Sequence, residues 1–407
     1  MNGMKYDFTS IMDRKGRDAI AVDMLGAPGG FAPAAPKEGY DPIPMWVADM
    51  NFPTVPTIQK AMTDRIGHPA FGYFAPREEY FDSIIKWQAT RNDVAGLTAS
   101  DIGYENGVLG GVISALGVFC SKGDKVLVHT PTYIGFTASL ENNGYQIVHS
   151  PLYIDEDNVW RMDFEDMEKK LREEKIHAAV FCSPHNPCGR VWERWEIEKA
   201  MELFRKYDVY VASDEIWSDL ILGDHKHIPT QSVSEDARMR TAAFYAPSKT
   251  FNLAGLVGSY HIVYNKWMRD RMDKESSLCH YNEMNVLSMY ALIGAYMPEG
   301  YEWVDELKQV LTENVNYACN YIDDHFKGVR VCRPEGTYML FLDCTDWCAS
   351  HGRTIEELEH MLWDVGVMVQ DGCMFNGTCH IRMNLASPKS RIVEAFDRMD
   401  RLVFNAD

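Results

Sequence analysis

Short apolar runs and amphipathic stretches alternate along most of the chain. From Val55, VPTIQKAMTDRI spaces its apolar residues as one face of a helix does, and REEYFDSIIKWQATRN, from Arg77, does the same. Strand-like runs follow: KVLVHT (125–130), IHAAVFCS (176–183), DVYVASDE (208–215), RTAAFYAPS (240–248) and SYHIVY (259–264). Helical segments such as MDFEDMEKKLREEK and EIEKAMELFRKY separate most of them. Small and β-branched residues without clean alternation predict strands buried on both faces, hence a mainly parallel sheet between helix layers. After about residue 295 the texture changes: a long helical stretch, YEWVDELKQVLTENVNYACNYIDDHF, leads into shorter strands and helices.

This pattern predicts an α/β protein in three parts. Residues 1–55 form an N-terminal segment packing on a small domain, 56–295 a large three-layer domain, and 296–407 a smaller α+β domain. The stretch GAPGGFAPAAPKEGYDPIP (26–44) is rich in Gly, Pro and Ala and predicts a surface loop.

Composition narrows the classes. The 407 residues are 46% hydrophobic and 24% charged, and the net charge of −19 argues against nucleic acid or an anionic membrane as partner. No run approaches the roughly 18 apolar residues of a membrane span. Ten cysteines behind an N-terminus without the apolar core of a signal peptide predict reduced thiols in the cytoplasm. Cys344 and Cys348 are four apart, yet C-x-x-C and H-E-x-x-H are missing, so no metal is expected. The Asn376-Gly377-Thr378 sequon is then without meaning.

In open α/β sheets ligands bind beyond the carboxyl ends of the strands. Read in order, those ends carry Tyr133 in TPTYIGF, Asn186 in PHNPCGR, Asp214 at the start of DEIW, and Ser248-Lys249 after TAAFYAP. Upstream, ENGVLGGVISALGVF sets Gly107 to Gly111 at a helix start, where N–H groups suit a phosphate. Each has an ordinary structural use: turn residue, helix cap, surface charge, packing ring. All of them at successive strand ends point to one ligand. Pyridoxal phosphate needs a lysine for an imine, an acid for its pyridine nitrogen, a donor for its ring oxygen, a ring to stack on and N–H groups for its phosphate. Lys249, Asp214, Asn186, Tyr133 and residues 108–110 fill these roles. Arg382, after a short strand in CHIRMNLASP, offers a fork that matches a substrate carboxylate.

SPHNPCGR, VASDEIW, APSKTFNLAGL and HIRMNLASP, in this order, resemble the fold-type I pyridoxal-phosphate enzymes of the aminotransferase class I/II superfamily. Together with PMWVADMNFPT (44–54) and FGYF (71–74), they are similar to its MalY/PatB branch of cystathionine β-lyase-type C–S lyases. The resemblance spans nearly the whole chain. It implies that Lys249 is the Schiff-base lysine and catalytic base, with Asp214 on the pyridine nitrogen, Asn186 on the ring oxygen and Tyr133 stacked. It further implies that Val108, Leu109 and Ser248 hold the phosphate. Tyr73 would reach the phosphate of a neighbouring subunit, making a homodimer with shared sites, and Arg382 would bind the substrate carboxylate with backbone near Ala48 and Asp49.

Two positions depart from the pattern. Trp217 stands where aminotransferases usually have Tyr and the lyases often His; its indole donates but never ionises. Ala246 and Val257 stand where many aminotransferases place Ser and Arg on the phosphate. The resemblance implies cleavage of L-cystathionine, cystine or a related cysteine S-conjugate to a thiol, pyruvate and ammonia. An aminotransferase is the alternative and an amino-acid racemase a third reading, because all three share these residues. The branch includes a member that also binds a transcriptional activator; no feature of this chain identifies such a surface.

Overall fold

The computed structural model describes residues 3–28, 31–279 and 282–406. Gly29 and Gly30, within the expected 26–44 loop, lie outside them. The strands in chain order begin with β1 (Ile43–Pro44), β2 (Ile102–Asn106), β3 (Lys125–Thr130), β4 (Gln146–Ile154) and β5 (Trp160–Met162). Next come β6 (Ile176–Cys182), β7 (Tyr210–Asp214), β8 (Thr241–Tyr245) and β9 (Gly258–Ile262). The last five are β10 (Arg330–Val331), β11 (Met339–Asp343), β12 (Val367–Met368), β13 (Gln370–Asp371) and β14 (His380–Asn384).

Eight strands make one sheet in the order β2-β9-β8-β7-β6-β3-β4-β5. Its middle, β8-β7-β6-β3-β4, is parallel throughout. Every residue of β8 is buried, and β6 and β7 are buried at nearly every position, as their unalternated apolar sequences require. The edges differ: β9 runs antiparallel to β8, β2 to β9, and β5 to β4. SYHIVY therefore does form a strand, but against the direction of its parallel neighbours. Burial on both faces leaves the same sequence signature in either direction.

One apolar cluster, including Leu127, Phe181, Trp192 and Phe204, packs one face of this sheet. Another, with Val112, Val128, Phe136 and Met272, packs the other. A second sheet, β10-β11-β14-β13, is antiparallel in all its pairs. The 28-residue helix Pro298–His325 lies in a continuous core joining Phe8 and Ile43 to Leu340, Ile381 and Met399. Residues of the N-terminal segment reach this region directly, since β1 pairs with β12 and the Arg398 and Arg391 side chains both bind Asp41. Among the described residues no helix is long and apolar enough to cross a membrane.

Candidate active site

Because β3, β6, β7 and β8 are parallel, their carboxyl ends share one edge of the sheet. Tyr133, Asn186, Asp214, Ser248 and Lys249 meet there around a cavity of about 310 Å³, with Val108, Leu109, Ala48 and Trp217 also in its lining.

Lys249 sits in the single helical turn Pro247–Thr250, directly after β8. Its half-buried amine donates to the Ala48 carbonyl at 2.8 Å. Burial, with the nearby Arg382 guanidinium, lowers its pKa to about 8, against the pull of Asp49 and Asp214. Across the cavity Asp214 is buried, and burial raises its pKa to about 7; the Ile216 N–H, 3.0 Å from Oδ1, and the Lys249 charge oppose the shift. A desolvated acid and a desolvated amine thus face one cavity, each made easy to switch by its surroundings.

The Asn186 side chain is buried and its Oδ1 has no partner. His185 Nε2, 2.7 Å from the Pro131 carbonyl, ties this turn to the one carrying Tyr133. The Tyr133 ring needs its neighbour Gly135: a Cβ there would stand 2.4 Å from the ring and 2.8 Å from Leu109 Cδ1. At the far end Gly107, with φ +77°, opens the 12-residue helix Val108–Phe119, and the space over its missing Cβ is empty. The first N–H groups of that helix have no acceptor within it.

Arg382, in the middle of β14, is buried. Its Nη2 donates to the Trp46 carbonyl and to Gln370 Oε1, both at 2.8 Å, while Nε and Nη1 are buried without partners. Burial lowers its pKa to about 10. A buried guanidinium with two unspent donors is costly unless an anion completes it.

The Trp217 indole packs edge-on against Tyr338, centroids 4.8 Å apart, with Lys249 Nζ 5.7 Å from the Trp217 ring centroid. Val257 lines the cavity at φ +59°, a left-handed conformation that β-branched residues rarely adopt. Buried Ala246 brings no polar atom. Lys249 is the one cation among the described lining residues, so the phosphate end carries N–H groups rather than basic side chains. Tyr73 is fully exposed and outside the lining.

Several contributors escaped the sequence reading. Residues 46–51 cross the cavity mouth as a strap: Arg14 binds Asp49 at 2.5 Å and Asn51 at 3.0 Å. Asn252 exchanges two hydrogen bonds with the backbone of Met50, and Asn384 donates to the carbonyls of Val47 and Asp49. The Tyr338 hydroxyl donates to Ala48 at 3.0 Å. Asn252, at φ +59° just past the lysine turn, had a local signal; Arg14 had none.

Residues 41–399 match the aminotransferase class I and II family, and the chain belongs to it. Cystathionine β-lyase PatB of Bacillus subtilis is 32% identical over 97% of this chain and 98% of its own. Cystalysin of Treponema denticola, whose crystal structure contains a pyridoxal 5′-phosphate cofactor, superposes with a TM-score of 0.88 at 29% identity, covering 98% of both chains. The pyridoxal-phosphate-bound C–S lyase of Staphylococcus hominis superposes at 0.87, with 27% identity over 98% of this chain and 99% of its own.

Proposed function

We propose that this protein is a pyridoxal-phosphate-dependent C–S β-lyase, cleaving L-cystathionine or a related cysteine S-conjugate to a thiol, pyruvate and ammonia. The observation that carries the reading is the pairing of a low-pKa Lys249 with a high-pKa Asp214 across one cavity. The lyases among its relatives select this chemistry from the family's repertoire.

The cavity fits the cofactor: an amine for its aldehyde, a carboxyl for its ring nitrogen, Asn186 for its ring oxygen, Tyr133 for its face and a helix N-terminus for its phosphate. Val108, Leu109 and Ser248 would hold that phosphate, with Trp217 beside the ring. When bound, pyridoxal phosphate supplies an electron sink for the pair released at the substrate Cα. Arg382 would clamp the substrate carboxylate through Nε and Nη1, beside the strap at Ala48 and Asp49. Lys249 Nζ would take the Cα proton, being free enough of its own proton to do so near neutral pH. Asp214 would keep the opposing positive charge in place. The Cβ–S bond then breaks, the thiolate leaves with its electron pair, and the proton on Lys249 Nζ can be returned to that sulfur. Water releases the remaining three-carbon fragment as pyruvate and ammonia.

On this reading exposed Tyr73 serves the phosphate of a second copy, so the working unit is a homodimer; the phosphate end, poor in basic side chains, supports it. Ten free cysteines suit a reducing cytoplasm. The domain limits 56–295 and 296–407 agree with the separation of the two sheets.

The test is turnover of L-cystathionine or an S-substituted cysteine with no keto acid present, reading pyruvate and free thiol. Turnover only after a keto acid is added would sink the lyase in favour of an aminotransferase. Lys249→Ala must abolish the visible absorbance of lysine-bound cofactor; survival of the band would overturn the site.

A further inference from the structure

Two buried carboxylates flank the Asp214 turn, and neither has a part in the chemistry above. Glu215 follows Asp214 directly and is fully buried. Its Oε2 accepts the Tyr245 hydroxyl at 2.6 Å and His227 Nε2 at 2.8 Å; its Oε1 accepts Thr230 N–H and Ser213 Oγ, both at 3.0 Å. Asp219, at the other end of the turn, is also buried. Its Oδ2 accepts the Thr250 hydroxyl at 2.8 Å and its Oδ1 the Trp87 indole N–H at 3.0 Å.

Tyr245 and Thr250 bracket Lys249 on the neighbouring strand end. The two turns are therefore joined at two points, one before the lysine and one immediately after it. The joint has a mechanical reason. The Pro247–Thr250 helix is a single turn, closed by one backbone bond from Phe251 N–H to Pro247 at 2.8 Å, so it has little stiffness of its own. Carboxylate–hydroxyl bonds are short and directional, and hold a separation that apolar packing would leave loose. Burying two carboxylates is costly, and apolar residues would fill the space with less penalty.

We propose that Asp219 and Glu215 are positioning residues that clamp the Asp214 turn to the Lys249 turn through Thr250 and Tyr245, setting the separation of acid and amine. This rests on the assignment of Lys249 and Asp214 to opposite ends of one cofactor ring. Neither carboxylate touches that ring; both act through the residues they hold.

Thr250→Val removes one hydroxyl and keeps the shape. In the cofactor-loaded enzyme kcat should fall by about tenfold or more, since misplacement of about 1 Å costs up to about 100-fold. KM should stay within about twofold, because Arg382 rides on β14 in the other sheet. The pH midpoint of the visible cofactor band, set by Lys249 among Asp214, Asp49 and Arg382, should move. Thr250→Ser, which keeps the hydroxyl, should restore most of kcat and the midpoint, and Tyr245→Phe should mimic Thr250→Val through Glu215. Wild-type kcat and midpoint in Thr250→Val would overturn the clamp. So would an equal loss in Thr250→Ser, or a loss explained wholly by a smaller folded fraction with the midpoint unmoved. A wild-type protein with no band sinks the cofactor assignment itself, an outcome separable from failure of the clamp alone.

Discussion

The Lys249 amine and the Ala48 carbonyl are 2.8 Å apart, and Ala48 also accepts the Tyr338 hydroxyl. The strap at residues 46–51 is thus in direct contact with the group proposed to move the substrate proton, and its supports act on the amine. Arg14 matters here because it neutralises Asp49, one of the charges that raise the Lys249 pKa. Arg14→Gln frees that carboxylate to stabilise the ammonium. The pH at which apoprotein takes up pyridoxal phosphate half-maximally should then rise, read as growth of the visible band across a pH series.

Lys249 also leaves a mark on stability without cofactor. Its folded pKa, about 8, lies below the ordinary 10.5, so its contribution is complete above 10.5 and lost as pH falls through 8. At pH 7 the buried cation destabilises the apoprotein. Apo Lys249→Met should melt at a higher temperature than apo wild type at pH 7, with the gap closing as pH rises from 8 towards 10.5. Calorimetry of both across that range checks the sign.

Asp214→Asn keeps the size of the side chain and removes its charge. Covalent cofactor should remain, visible by absorbance, while kcat falls by about 100-fold or more through loss of the charge opposite the ring nitrogen. Retention of kcat within a few-fold would remove Asp214 from the proposed site.

Arg382→Lys retains a positive charge near Lys249 but loses the fork whose Nε and Nη1 are unspent. KM should rise about 10- to 100-fold, the worth of a charge-assisted pair of hydrogen bonds, with a smaller change in kcat. Steady-state kinetics on one substrate separates the two.

Val257 holds a left-handed backbone at φ +59° and is half exposed, so little packing is lost on truncation. Val257→Gly should stabilise the protein by about 1 kcal/mol, read as a higher urea midpoint with an unchanged slope.

The sequence alone determined the strands of the parallel core and the residues at their ends. Tyr133, Asn186, Asp214 and Lys249 each follow their own strand within a few positions, so strand burial and local turn chemistry were enough to put them side by side. The class of cofactor followed from those residue types. Tertiary structure alone decided what surrounds the amine. Lys249 meets Ala48 across 201 positions and Arg382 meets Trp46 across 336, pairs with no local periodicity to announce them. It also decided the direction of β9, because a strand buried on both faces looks alike whichever way it runs, and only its connection sets the direction. Arg14 looked like any polar residue of an N-terminal segment. Only the packing of that segment beside the strap made it the counter-charge of Asp49.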